Sequence, residues 1–176
     1  MEAETQQARE IFIRYLGSPA QMHREGALKQ YNQYGIVREM ELQWFQEMIA
    51  EGCGRLSIRD WEAVARLEAL SKNYQDPVIV DKTASFASRN LMSADSIVRL
   101  MYAEALVEII RAHKIVITRE LLFSACRVAV QLLESVVTQP LVTDPGHELQ
   151  QLGLKDKRAL NSRAKKSIEE VERLIN

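Results

Sequence analysis

A chain of 176 residues that is 47% hydrophobic is long enough to bury one sizeable core, and its composition excludes the disordered and fibrous classes. With 23 basic against 24 acidic side chains, the net charge of −1 gives no global field toward nucleic acid or an anionic membrane. Cys53 and Cys126 are the only cysteines and form no CxxC, which leaves no disulfide framework or zinc cluster and fits a reducing, cytoplasmic setting.

The beginning, Met1-Glu2-Ala3-Glu4, is acidic and lacks the basic-then-apolar order of a secretory signal. Charged residues at Glu104, Glu108, Arg119 and Glu120 interrupt the longest apolar runs before the roughly 20 residues a bilayer span requires, so a soluble chain with no membrane partner is expected.

No strand alternation persists, and the periodicity predicts helices throughout. The first runs from about Ala3 to Leu16, with Ala8, Ile11, Phe12, Tyr15 and Leu16 on one face, and ends at Gly17. Ser18-Pro19 reads as a cap followed by proline at the first helical position, opening a second helix through Tyr34. Gly26 lies inside it, and Met22, Leu28, Tyr31 and Tyr34 anchor it. A third, Ile36 to about Glu51, carries Val37, Met40, Trp44, Phe45, Met48 and Ile49, and Gly52 and Gly54 stop it. Ser57-Ile58-Arg59-Asp60 resembles a capping box and starts a fourth helix through about Tyr74, packed by Trp61, Val64, Leu67 and Leu70. Asp76-Pro77 repeats the cap-then-proline signal for a helix ending near Asn90.

The stretch from Ser93, its expected cap, to His113 is apolar almost all round, with Glu104, Glu108 and Arg111 as one narrow polar stripe, which is the pattern of a central helix. Thr118 caps a partner helix to about Val137, and the short turn between the two makes them antiparallel. Gln139-Pro140, Asp144-Pro145-Gly146 and Gly153 then mark a connector. A last amphipathic helix, about Lys155 to Leu174, carries a thin apolar row of Leu160, Ala164, Ile168, Val171 and Ile175. The expected architecture is one all-α, multi-helix domain. Residues 1–137 form the core around the 93–113 and 118–137 pair, 138–154 connect, and 155–176 dock on the core or on a partner.

Two readings of the Glu104, Glu108 and Arg111 stripe stand. Facing inward, the carboxylates would have raised pKa values and acid or ligand chemistry; facing solvent, the stripe is an edge neutralised by Arg111. The second is expected, since structural charge stripes are common. No metal or other cofactor is expected: no Glu-x-x-His occurs, and His23, His113 and His147 lie far apart. There is no glycine-rich phosphate loop. Cys126 falls in an apolar arc, and Cys53 follows a helix C-terminus, where a thiolate is disfavoured.

Lys155, Lys157, Arg158, Arg163, Lys165 and Lys166 face only Asp156 between residues 155 and 166, a local charge of +5. Cations at a helix N-terminus oppose the macrodipole, so helix stability does not explain them. They are either a solvated face balanced by the acidic remainder or a patch for an acidic partner or phosphates; no aromatic residues are interleaved for base stacking, so nucleic acid is not the expected partner. The favoured function is a non-catalytic protein-protein interaction or regulatory protein whose last helix is the contact element, binding another protein or a second copy. Its contact residues would be Lys157, Arg158, Leu160, Arg163, Lys165, Lys166, Ile168 and Val171. A second reading is a sensor or carrier of a small apolar ligand, with a pocket near Met40, Trp44, Met48, Trp61 and Met101. A third is an enzyme using a buried Glu104 and Glu108 pair or His113.

Overall fold

The computed structural model describes residues 1–176 and is all-helical. Its helices are α1 (Glu2–Arg14), α2 (Pro19–Arg24), α3 (Leu28–Gln33), α4 (Arg38–Gly54), α5 (Glu62–Ser71), α6 (Pro77–Asn90), α7 (Ser96–His113), α8 (Arg119–Thr138) and α9 (Lys157–Ile175). Three of the cap signals hold: Ser18 accepts the N–H of Gln21, Asp76 that of Val78, and Thr118 that of Leu121.

Four local expectations are corrected. The helix expected across 19–34 breaks into α2 and α3, because Gly26 adopts φ +78°, which no helix interior permits. Gly52 does not stop α4, which continues to Gly54; it is buried, and a Cβ there would lie 2.7 Å from Leu67, so it lets α4 approach α5. The segment at Ser57 is not a helix start. The Tyr102 hydroxyl takes both its backbone groups, accepting from the Ser57 N–H at 2.9 Å and donating to its carbonyl at 2.8 Å, and α5 begins only after Trp61. Ser93 sits in a short 3₁₀ turn, and the side chain that caps α7 is Asp95.

The core is continuous, and α7 lies at its centre. Leu100, Ala103, Leu106, Val107, Ile109 and Ile110 are buried around its circumference, covered by α5, α6, α8 and α9. The α7–α8 turn folds the pair antiparallel. Helix α9 runs antiparallel to α8: Lys157 at its start meets the last carbonyls of α8, while Glu170 near its end meets Arg111 near the end of α7. Helix α8 is long and apolar enough to cross a membrane, but its apolar face is used inside the fold, where 44% of that window is buried. At the other side of the molecule, α1, α3 and α4 gather Phe12, Tyr31, Trp44 and Phe45 into an aromatic cluster.

Candidate functional site

The polar stripe of α7 is no buried acid pair: Glu108 and Arg111 form the expected neutralised edge, both still partly exposed, while Glu104 lies in the seam along which α9 docks. Arg163 donates to both oxygens of Glu104 at 2.7 Å, a two-pronged pair in half-buried surroundings that pushes the guanidinium pKa up. One turn on, Arg111 pairs with Glu108 and lies 3.5 Å from Glu170 of α9. Glu68 of α5 faces the same open cleft of about 470 Å³; burial raises its carboxyl pKa, and the nearby Glu108 and Glu104 push the same way. Of the cations clustered between residues 155 and 166, Arg163 therefore has a carboxylate partner on another helix.

Lys157 has a different use. Its Nζ donates to the carbonyls of Val136 and Val137 and to Asn161, so the misplaced positive charge at the N-terminus of α9 caps the C-terminus of α8. Burial and the neighbouring Arg99 lower the Lys157 pKa. Arg99, itself buried, donates to Ser135 at 3.0 Å and Gln139 at 2.7 Å, closing the same helix end.

Of the candidate contact residues on α9, Leu160 and Val171 are wholly buried against the core, with Ala164, Ser167 and Leu174 completing that row, so they are not available to a partner. The periodicity misplaced part of the row: Ile168 is half-buried and Ile175 exposed. Arg163 and Lys157 point inward to their partners, whereas Arg158, Lys165 and Lys166 are exposed.

The five residues proposed to line a ligand pocket do not converge. Trp44 packs at 5.4 Å on Phe12, next to Phe45, while Trp61 lies against His147 at 5.2 Å, near the connector. Met48 is buried and Met40 half-buried on α4, and the Met101 sulfur lies 4.0 Å from Arg163. The principal surface clefts are lined by other residues.

His113 is buried as a neutral imidazole bridging two helices. Its Nδ1–H donates to the carbonyl of Ile109 at 2.7 Å and its Nε2 accepts the Asp76 N–H at 3.1 Å. Burial lowers its pKa. Cys126 is buried and Cys53 half-buried, and burial raises both thiol pKa values, away from the reactive thiolate.

One surface was not anticipated. The turn between α7 and α8 presents Ile115, 96% exposed, and Val116, half exposed, with Phe123 exposed on the first turns of α8. Lys114 and Arg119 flank them, and the Arg119 guanidinium lies 5.2 Å over the Phe123 ring. The exposed Ile175 ends α9 at the same end of the bundle. The β-branched run Ile115-Val116-Ile117 was legible as a connector, but its exposure depends on His113 ending α7 and Thr118 starting α8 around it.

Comparison with known proteins gives no match: no family model fits the sequence, and no curated protein or solved structure is significantly similar.

Proposed function

We propose that the chain is a non-catalytic, cytoplasmic interaction protein that acts through its helical surfaces, with the α7–α8 turn as its contact element. The observation that carries this reading is the apolar turn itself. A single exposed isoleucine is ordinary, but Ile115 and Val116 stand together in solvent, with Phe123 held under a guanidinium beside them. Most of the apolar row expected to seek a partner along α9 is occupied within the fold.

The flanking charges define the partner's chemistry. Lys114 and Arg119 outnumber the exposed Glu120 around the apolar residues, so the complementary surface is an apolar slot with net acidic edges. Two copies meeting turn to turn would bring these cations face to face, which favours a different protein over a symmetric dimer.

The test is affinity capture with the wild-type chain and with a variant carrying Ile115→Asp and Val116→Asp. Both residues project outward, so the variant keeps the wild-type unfolding midpoint, while a partner held by the wild type is retained at least about tenfold less. A partner retained equally by both would contradict the assignment.

A further inference from the structure

The connector after α8 is not loosely attached: it is strapped across the N-terminus of α7. The Ser96 N–H donates to the Val142 carbonyl at 2.8 Å, and the Ser96 hydroxyl accepts the Val142 N–H at 3.0 Å. The Asp95 side chain is wholly buried beneath this strap. Its Oδ1 accepts the Val98 N–H at 2.8 Å, and its Oδ2 accepts the Asp144 N–H at 2.8 Å and the Nδ1–H of His147 at 2.7 Å. The Asp144 carboxylate closes over the same point, so that one donor atom from each of Asp95, Asp144 and His147 lies within 4.8 Å of the other two. Trp61 packs against the His147 ring from α5's side.

We propose that Asp95, Asp144 and His147 form a binding site for a divalent transition-metal ion of the zinc class, which fastens the connector to the central helix. The donor set of one imidazole nitrogen and two carboxylate oxygens suits zinc and its neighbours better than magnesium or calcium, which take oxygen ligands. Tetrahedral ligands about 2.1 Å from one ion lie about 3.4 Å apart. The His147 ring and the Asp95 carboxylate, now 2.7 Å apart, therefore separate slightly to admit the ion, and the exposed Asp144 turns in to complete the set.

The metal replaces the hydrogen bond between His147 and Asp95. The metal-bound imidazole carries its one proton on Nε2, leaving Nδ1 to the ion, and Oδ1 of Asp95 keeps capping α7. A cation here opposes the positive end of the α7 dipole, and two carboxylates offset that. The donors of nearby Arg99 are directed elsewhere, to the Asp95 carbonyl, Ser135 and Gln139. With three protein ligands and the site at the surface, a further position is open to water. Histidine spacing could not reveal this arrangement, because the two remote elements meet only in the fold; the local trace is Asp144 three residues before His147.

The test is titration of the EDTA-stripped full chain with zinc, followed by calorimetry and by thermal unfolding, with magnesium as the control ion. The expected result is one zinc per chain, a midpoint that rises with zinc concentration, and no comparable effect of magnesium. Asp144→Asn removes a carboxylate that makes no hydrogen bond in the fold, so the variant folds as the wild type does and binds zinc at least about tenfold more weakly. His147→Gln has the same effect on binding. Absence of saturable zinc uptake overturns the site, and so does uptake unchanged in both variants, which would place the ion elsewhere, at Cys53 or His23.

Discussion

Thr83 and His113 show how single atoms in this core set its stability. The Thr83 hydroxyl is the one buried side-chain polar atom with no hydrogen-bond partner. Leaving such a group unpaired costs about 1–3 kcal/mol, whereas an apolar group of the same shape costs nothing comparable. Thr83→Val is therefore expected to raise unfolding free energy by about 1 kcal/mol in a urea titration; a loss of stability would mean the hydroxyl is satisfied. His113 works in the opposite sense, since both its ring nitrogens are used. Its pKa is lowered by burial below 6.5, the usual value, so the unfolded chain takes up the proton first. The contribution of neutral His113 is complete above pH 6.5 and declines as pH falls from there toward the folded-state pKa. His113→Leu leaves the Asp76 N–H without an acceptor, costing about 1–3 kcal/mol near neutrality, and removes that part of the pH slope. Parallel slopes for wild type and variant between neutral and mildly acid pH would contradict this role.

Among the elements, α9 is the one whose role changes most between sequence and structure. Its periodicity gave a thin apolar row and left open whether the core or a partner covers it. The structure buries Leu160, Ala164, Val171 and Leu174 against α7 and α8, and adds the Glu104–Arg163 pair and the Lys157 cap. A core confined to residues 1–137, as the sequence suggested, would stay folded without this helix. The packing predicts otherwise: truncation exposes the apolar flank of α7 and α8 and uncaps α8, so cooperative unfolding is lost or its midpoint falls sharply. Leu160→Ala, the milder version, is expected to cost about 2–5 kcal/mol by urea titration, while exposed Lys165→Ala changes little. A truncated chain as stable as the whole would show that α9 is an appendage.

What was readable at this scale follows from locality. Caps at Ser18, Asp76 and Thr118 act on their own next turn, and the all-round apolar character of α7 announces burial wherever it packs. The break at Gly26 and the shift of the α7 cap from Ser93 to Asp95 are local, but the other failures involve distant partners. Tyr102 reaches the Ser57 backbone, Leu67 packs beside Gly52, and Glu104 meets Arg163, and in each case a local pattern was overridden by a residue at least 15 positions away. The charge order of α9, unfavourable to its own dipole, was the sequence's sign of partners elsewhere, which Lys157 and Arg163 have.

For the molecule as a whole, the two ends of the α7, α8 and α9 layer are chemically opposed. At one end, Asp95, Ser96, Arg99 and Lys157 knit the connector, the end of α8 and the start of α9 into a hydrogen-bonded cap. At the other, the chain turns through Ile115 and Val116 with little covering them. The first end closes the fold, with Leu141 and Val142 exposed along the strap, and the turn is the surface we assign to a partner. Substituting the turn and substituting the polar end should therefore separate: the first alters binding with folding intact, the second alters folding.

The most direct measurement is photo-crosslinking in cells with a benzophenone amino acid placed at position 115, and at position 162 on the outward face of α9 as a control. The account predicts a discrete adduct with an acidic protein from position 115, lost when Lys114 and Arg119 are changed to glutamate, and no such adduct from position 162. No adduct from 115, or the same adduct from both positions, would contradict the assignment of the α7–α8 turn as the contact surface.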